Sequence, residues 1–434
     1  MTRNSLACCF RMVGPVSIFA TAVFGSALLA SQQADAQSNN WQTRTVPATV
    51  TPAAPVKATQ ARRSNSAIES LKSYLGGAGV QGKVALHAEA ARQQNGKPSP
   101  IPIVDEETLS LYPTAAQCGQ CHKQIYDEWS SSQHAYASLS PMFHAFEQKF
   151  TELTQGTVGT FCVRCHQQVG TQLGEKRETP LWQRAPISRE GVTCITCHRV
   201  KGQYGKVNGE RRVEPGKIYE PVYGSGENSV LKKVLDNKST YSVKTSKDGR
   251  GTDIHNGMMT NPQLKKSEFC VSCHQVAVNL GIKLEIVWDQ FRDSPARKSG
   301  VTCQDCHMGK VPGKPSGYAK GPSAVVGGRE INSGRRRTNH AFIGPGYSVA
   351  HPGVFPHNPK AKKFGFKDWL QFDWRSGWGT HDFEDKVANG TVKVNFPKAW
   401  SDPIDREDAR VILDENLGKL RKRYDLRRQV MENG

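Results

Sequence analysis

Apolar residues are unevenly spread along this chain, and only two stretches carry a pattern strong enough to predict an element. Val13 to Ala30 is an apolar run behind Arg3 and Arg11, followed by Ala34-Asp35-Ala36. A charged start, an apolar stretch and an A-x-A tripeptide predict a cleaved export signal over residues 1–36. Left uncleaved, the run is almost long enough to serve as an anchor helix. The polar sequence after Ala36 favours cleavage, and no other stretch could cross a membrane. The second pattern lies in the tail. Leu413, Leu417, Leu420 and Tyr424 recur at i, i+4, i+7 and i+11, which predicts a helix over Pro403–Met431 with one apolar face. Asp402 before Pro403 suits its start. Such a face covers either the chain's own core, the commoner case, or a partner subunit.

Between these ends the periodicity is weak. Residues 37–105 are rich in Ala, Thr, Pro, Gln and Ser and read as a flexible linker, with one short helix near Ser66–Leu75. Residues 106–346 show no run of period-two strands. They suit short helices, such as His122–Trp129, joined by glycine-rich loops such as Gly317–Gly334. Residues 347–434 form a C-terminal extension ending in the tail helix. The fold class is therefore mainly α with much irregular coil. Only 37% of the 434 residues are hydrophobic, against 40 Gly and 24 Pro. A chain so poor in apolar side chains needs something besides a protein core to organise it, and packed cofactors would do so.

The cysteines identify the cofactor. Cys8 and Cys9 lie inside the expected signal. The other ten all belong to C-x-x-C-H sequences: Cys118/Cys121/His122, Cys162/Cys165/His166, Cys194/Cys197/His198, Cys270/Cys273/His274 and Cys303/Cys306/His307. Two thiols three residues apart can add to both vinyl groups of one haem, and the adjoining His then binds the iron. Zinc would need paired C-x-x-C units, and five is an odd number. Disulfides give no reason for a His after every second Cys. Five covalently attached haems c follow, and with them export, since such haems are attached outside the cytoplasm. The expected location is the periplasm, with the cell surface as an alternative.

The sites also repeat. Phe161-Cys-Val-Arg-Cys-His-Gln167 recurs as Phe269-Cys-Val-Ser-Cys-His-Gln275, and Gly191-Val-Thr-Cys194 as Gly300-Val-Thr-Cys303. The shared residues outside the attachment minimum indicate duplication of a dihaem module, at about 144–200 and 255–310. Sites two and three are then expected to stack, as are four and five. Low-spin haems need a second axial ligand. His134 follows the first site, His144 and His255 precede equivalent sites in the two modules, and His340 follows the last. His351 is the fifth candidate, with His357 and His381 as alternatives, while His87 reads as a loop residue. Met142, Met258, Met259 and Met308 are expected to pack against porphyrin faces. Mostly bis-His ligation implies low potentials.

The formal charge of +19 falls to +18 without residues 1–36, and to roughly +13 with one negative charge per ferric haem. Acidic redox proteins or a membrane quinol-oxidising or reductase complex are the expected partners. An exported chain leaves no role for nucleic acid, and an oligomer stays open. Arg335–Arg337, Lys360–Lys363 and Arg421–Arg428 are candidate docking patches.

Cys118-Gly-Gln-Cys121-His122 followed by Trp129 and Ser132-Gln-His134-Ala, with the later Gly191-Val-Thr-Cys194 and Cys303-Gln-Asp-Cys306-His307-Met308 segments, resembles the multihaem cytochromes around the nitrifiers' tetrahaem cytochrome c and hydroxylamine oxidoreductase. The resemblance spans about residues 110–345. It implies a mostly helical electron carrier organised around stacked haem pairs, with His134 ligating a haem other than the one attached just before it. The haem count departs from both relatives. Single-electron transfer between partners is the leading function. An oxidoreductase acting on a small nitrogen or sulfur compound at an open haem is the alternative, and a subunit of a conducting assembly is a third. Pentahaem nitrite reductases typically carry Lys after one C-x-x-C, and here all five carry His.

Overall fold

The computed structural model describes residues 104–433, apart from 178, 201–207, 210, 227, 278–282, 345–350, 357, 359–363 and 379. The expected signal, linker, Ser66–Leu75 helix, His87 and His357 lie outside the described residues. So does the Lys360–Lys363 patch.

Helices dominate, and most are one or two turns long. Among the longer ones are α1, Lys123–Ser130; α2, Pro141–Leu153; α3, Phe366–Arg375; α4, His381–Ala388; and α5, Pro403–Asn433. Strands among the described residues form five two-stranded ladders. None exceeds three residues, so no sheet supplies a core. One ladder falls in the stretch expected to be loop. Ala324–Val326 pairs antiparallel with Arg329–Ile331. The turn is Gly327-Gly328, both at positive φ, the conformation that matches a two-residue hairpin to strand twist. The glycines that suggested a loop are the residues that permit the hairpin.

The tail helix begins where its sequence predicts. Asp402 Oδ1 accepts from Ile404 N at 2.9 Å and Asp405 N at 3.2 Å, satisfying donors that the first turn leaves unpaired. Leu413, Leu417, Leu420 and Tyr424 are all buried. They face the molecule's own core, with Trp369, Phe372, Phe383, Trp400, Trp129, Tyr136 and Leu139. Trp400 is its aromatic centre, stacked on Phe364 at 4.1 Å between ring centroids and 4.7 Å from Trp369. Asp373, fully buried on α3, accepts from Gly353 N at 2.9 Å and Val354 N at 3.2 Å. Among the described residues no helix is long and apolar enough to cross a membrane.

Candidate haem-attachment sites

Each attachment sequence folds as a single helical turn: Ala115–Gly119, Val163–His166, Cys194–His198, Val271–His274 and Cys303–His307 span or adjoin the five. A turn of helix brings residues i, i+3 and i+4 to one face. Both thiols and the imidazole of each site therefore point the same way. Local chemistry starts these turns. Thr114 with Gln117, and Thr302 with Asp305, form reciprocal caps. The Gly-Val-Thr repeat also has a backbone reason, since Gly191 and Gly300 both sit at positive φ, 63° and 78°. All ten cysteines are free and half-buried.

The sites lie against one another in an order the chain does not follow. The thiol of Cys194 meets that of Cys118, Cys165 meets Cys273, and Cys270 meets Cys303. Sites one and three, two and four, and four and five are thus neighbours through their thiols. Gly209 permits the second contact. Its φ is +69°, and a Cβ there would stand 2.9 Å from Cys165 Sγ. Asn208 brackets Ala277 with two hydrogen bonds of 2.8 Å, holding the strand after site four. Buried Glu190 bridges sites one and three, its Oε2 accepting from Ala115 N at 2.9 Å and Thr193 Oγ1 at 2.6 Å. Burial pushes its carboxyl up to about 7.

The proximal imidazoles are oriented by groups far away in sequence. His122 Nδ1 lies 2.8 Å from Ser323 O, His166 Nδ1 3.0 Å from Ala137 O, His198 Nδ1 2.7 Å from Tyr223 O and His307 Nδ1 2.8 Å from Ile343 O. A ring that donates through Nδ1 keeps Nε2 unprotonated, the form that binds a metal. His274 differs: its Nδ1 is 3.6 Å from the Glu285 carboxylate. Free thiols in pairs, beside imidazoles whose outer nitrogen is engaged, fit covalent haem. Sequence reasoning missed these orienting groups, because a backbone carbonyl carries no residue signature.

Of the candidate distal residues, His134 has its ring centroid 6.3 Å from that of His274, at site four, and 4.3 Å from Phe342. His340 stands 6.4 Å from His198, at site three, and 5.7 Å from the same Phe342. Burial and neighbouring imidazoles hold both at about 3, so both are neutral. Glu128 on α1 fixes the His340 loop by accepting from His340 N at 2.9 Å and pairing with Arg337. His255 is pushed down to about 4, first by burial and then by His122, with His198 acting in the same sense. Its Nδ1 faces Gly257 O at 3.0 Å.

His144 and His255 do not share surroundings. His144 rides on α2 with its Nε2 2.7 Å from Ser138 O, while the adjacent Phe143 stacks on His166 at 4.0 Å. His351 is buried in the protein core, where its ring neighbours among the described residues are Tyr136 and Trp374. His381 is exposed at the start of α4. The arginine patches are partly spent inside the molecule. Arg336 covers the Tyr318 ring, Arg337 pairs with Glu128, Arg427 pairs with Glu384, and Arg423 is buried. Arg421, Lys422 and Arg428 stay exposed.

Residues 117–199, which hold the first three attachment sites, match the family model described as cytochrome c554 and c-prime. No curated protein matches the chain. Among solved structures, a penta-heme cytochrome c552 from Thermochromatium tepidum is similar at 20% identity and a TM-score of 0.34. The alignment covers 54% of this chain and 57% of that one, so the chain spans little more than half that protein's length. The family match and the C-x-x-C-H chemistry support a multihaem c-type cytochrome with covalently bound haem c and a role in electron transfer.

Proposed function

We propose that this chain is an exported pentahaem cytochrome that passes single electrons between redox partners through mostly bis-His haems. The spacing of imidazole pairs carries the reading. Two imidazoles bound through Nε2 to one iron, each nitrogen about 2 Å away, set their ring centroids roughly 6 Å apart. His134 with His274 and His340 with His198 have that spacing, at 6.3 and 6.4 Å. His134 thus serves site four, not the site attached just before it. His255 is the distal residue for site one. Sites one, three and four are then bis-His, with three beside one and with two and five beside four. A partner of acidic surface meets the exposed cations of α5.

Purified protein should give five haems per chain by the pyridine haemochrome assay. His134→Ala and His340→Ala should each turn one haem high-spin while all five stay attached. A fully low-spin spectrum in both variants would remove the assignment. One observation favours the second reading, a small-molecule oxidoreductase. The placement of His144 Nε2 against Ser138 O takes from site two the atom a distal ligand would use. Carbon monoxide added to the reduced protein distinguishes the two readings. A shift in one haem's worth of absorbance marks an open haem at site two or site five, and no shift marks a carrier.

A further inference from the structure

Four of the five proximal imidazoles face a backbone carbonyl, and the fifth faces a charged side chain. We infer that Glu285 lowers the reduction potential of the haem at site four below the value that a carbonyl partner would give it, an inference that rests on the haem reading above.

The carboxylate is held in place. Glu285 ends the strand Lys283–Glu285, and its Cα partner is Val276, two residues after His274. Lys283 and Gln275 both bond Asp289, which fixes the two sides of this ladder to the following helix. At 3.6 Å from His274 Nδ1 the carboxylate stands close behind the ring, at more than a normal hydrogen-bond length. A negative charge behind a proximal imidazole raises the basicity of the ligand and favours the ferric, more positive iron. The same carboxylate also acts on His166 of site two, so a smaller effect should fall there. An opposing charge stands on the other side of the site. Arg211 Nη2 donates to Cys273 Sγ at 3.5 Å, and this cation favours the ferrous state. Site four is the one whose thiols meet those of both two and five, so its potential governs electron exchange with both.

The test is a spectropotentiometric titration of the five-haem protein against Glu285→Gln and Arg211→Gln. In Glu285→Gln one of the five one-electron steps should become about tenfold easier to reduce, an upward shift of about 59 mV, with a smaller rise in a second step. In Arg211→Gln a step should move downward. A nonspecific loosening of the site would move both variants the same way and overturns the inference. So would unchanged potentials in Glu285→Gln with five haems retained. Protein that lacks covalent haem in the unaltered chain would instead defeat the underlying haem reading.

Discussion

Between Val354 and Tyr424 the chain builds a protein core of ordinary kind, with Trp369, Phe372, Trp378, Phe383, Trp400 and the leucines of α5 closing on one another. Between Asp105 and Ile343 the buried apolar residues fall into smaller groups, such as Val169 with Leu173 and Ile195, or Val234 with Val243 and Ile331. What crosses that region is instead polar: carbonyls that accept from imidazoles, the Glu190 bridge, the Asn208 bracket and the Glu128 clamp. The difference teaches where the apolar content was needed. A porphyrin offers a large flat apolar surface, so a segment wrapped around porphyrins can spend its residues on orienting ligands. The segment without attachment sites has to bury its own side chains. The two meet where Trp129, Tyr136 and Leu139 join the α5 cluster.

The hardest break of this contrast is to remove one cofactor. Replacing Cys270 and Cys273 by Ala takes away the site that touches two others. Residues 208–343 should then lose hydrogen-exchange protection while α5 keeps most of its own. Equal loss in both regions would mean that they share one packing regime. On the other side, Leu413→Ala should cost about 2–5 kcal/mol in denaturant unfolding and leave the haem spectrum unchanged. A change in the spectrum would tie the protein core directly to the haems.

Glu190 sharpens the comparison through pH. Its carboxyl titrates at about 7 when folded, against 4.5 for the unperturbed group. Below pH 4.5 it is protonated in both states and costs nothing. From 4.5 to 7 the unfolded chain releases a proton that the folded chain retains, so stability falls by about 3 kcal/mol as pH rises, and the loss is complete above 7. Glu190→Gln should flatten that slope, and a slope that persists would place the titrating group elsewhere. The smallest effect belongs to the tail. Asp402→Ala should lower stability by about 1 kcal/mol, read as a shift in the unfolding midpoint with no change in redox behaviour.

Legibility followed the range of the interaction. The attachment turns were readable because cysteines and histidine at i, i+3 and i+4 need only one turn of helix to converge. The α5 face was readable because its period is a property of the helix itself. The repeated Gly-Val-Thr was visible as a pattern, and the positive φ of Gly191 and Gly300 supplies its cause. His144 and His255 show the limit. Similar spacing from their attachment sites suggested similar roles, yet one lies on a helix against Ser138 and the other follows the strand Thr252–Asp253 with its Nδ1 against Gly257 O. His351, the fifth candidate, is buried beside Tyr136 and Trp374, a setting that its place after the last site did not announce.

By itself, then, the sequence determined where the C-x-x-C-H turns lie, which imidazole belongs to each, and where the last helix starts and which face it buries. These depend on neighbours within a few residues, whose geometry the backbone fixes. Only the tertiary structure decided which imidazoles lie near one another, which attachment turns are neighbours, and that His274, of the five C-x-x-C-H histidines, faces a carboxylate. His134 and His274 are separated by 140 residues of chain. No local rule relates them, and their meeting depends on how every intervening turn packs.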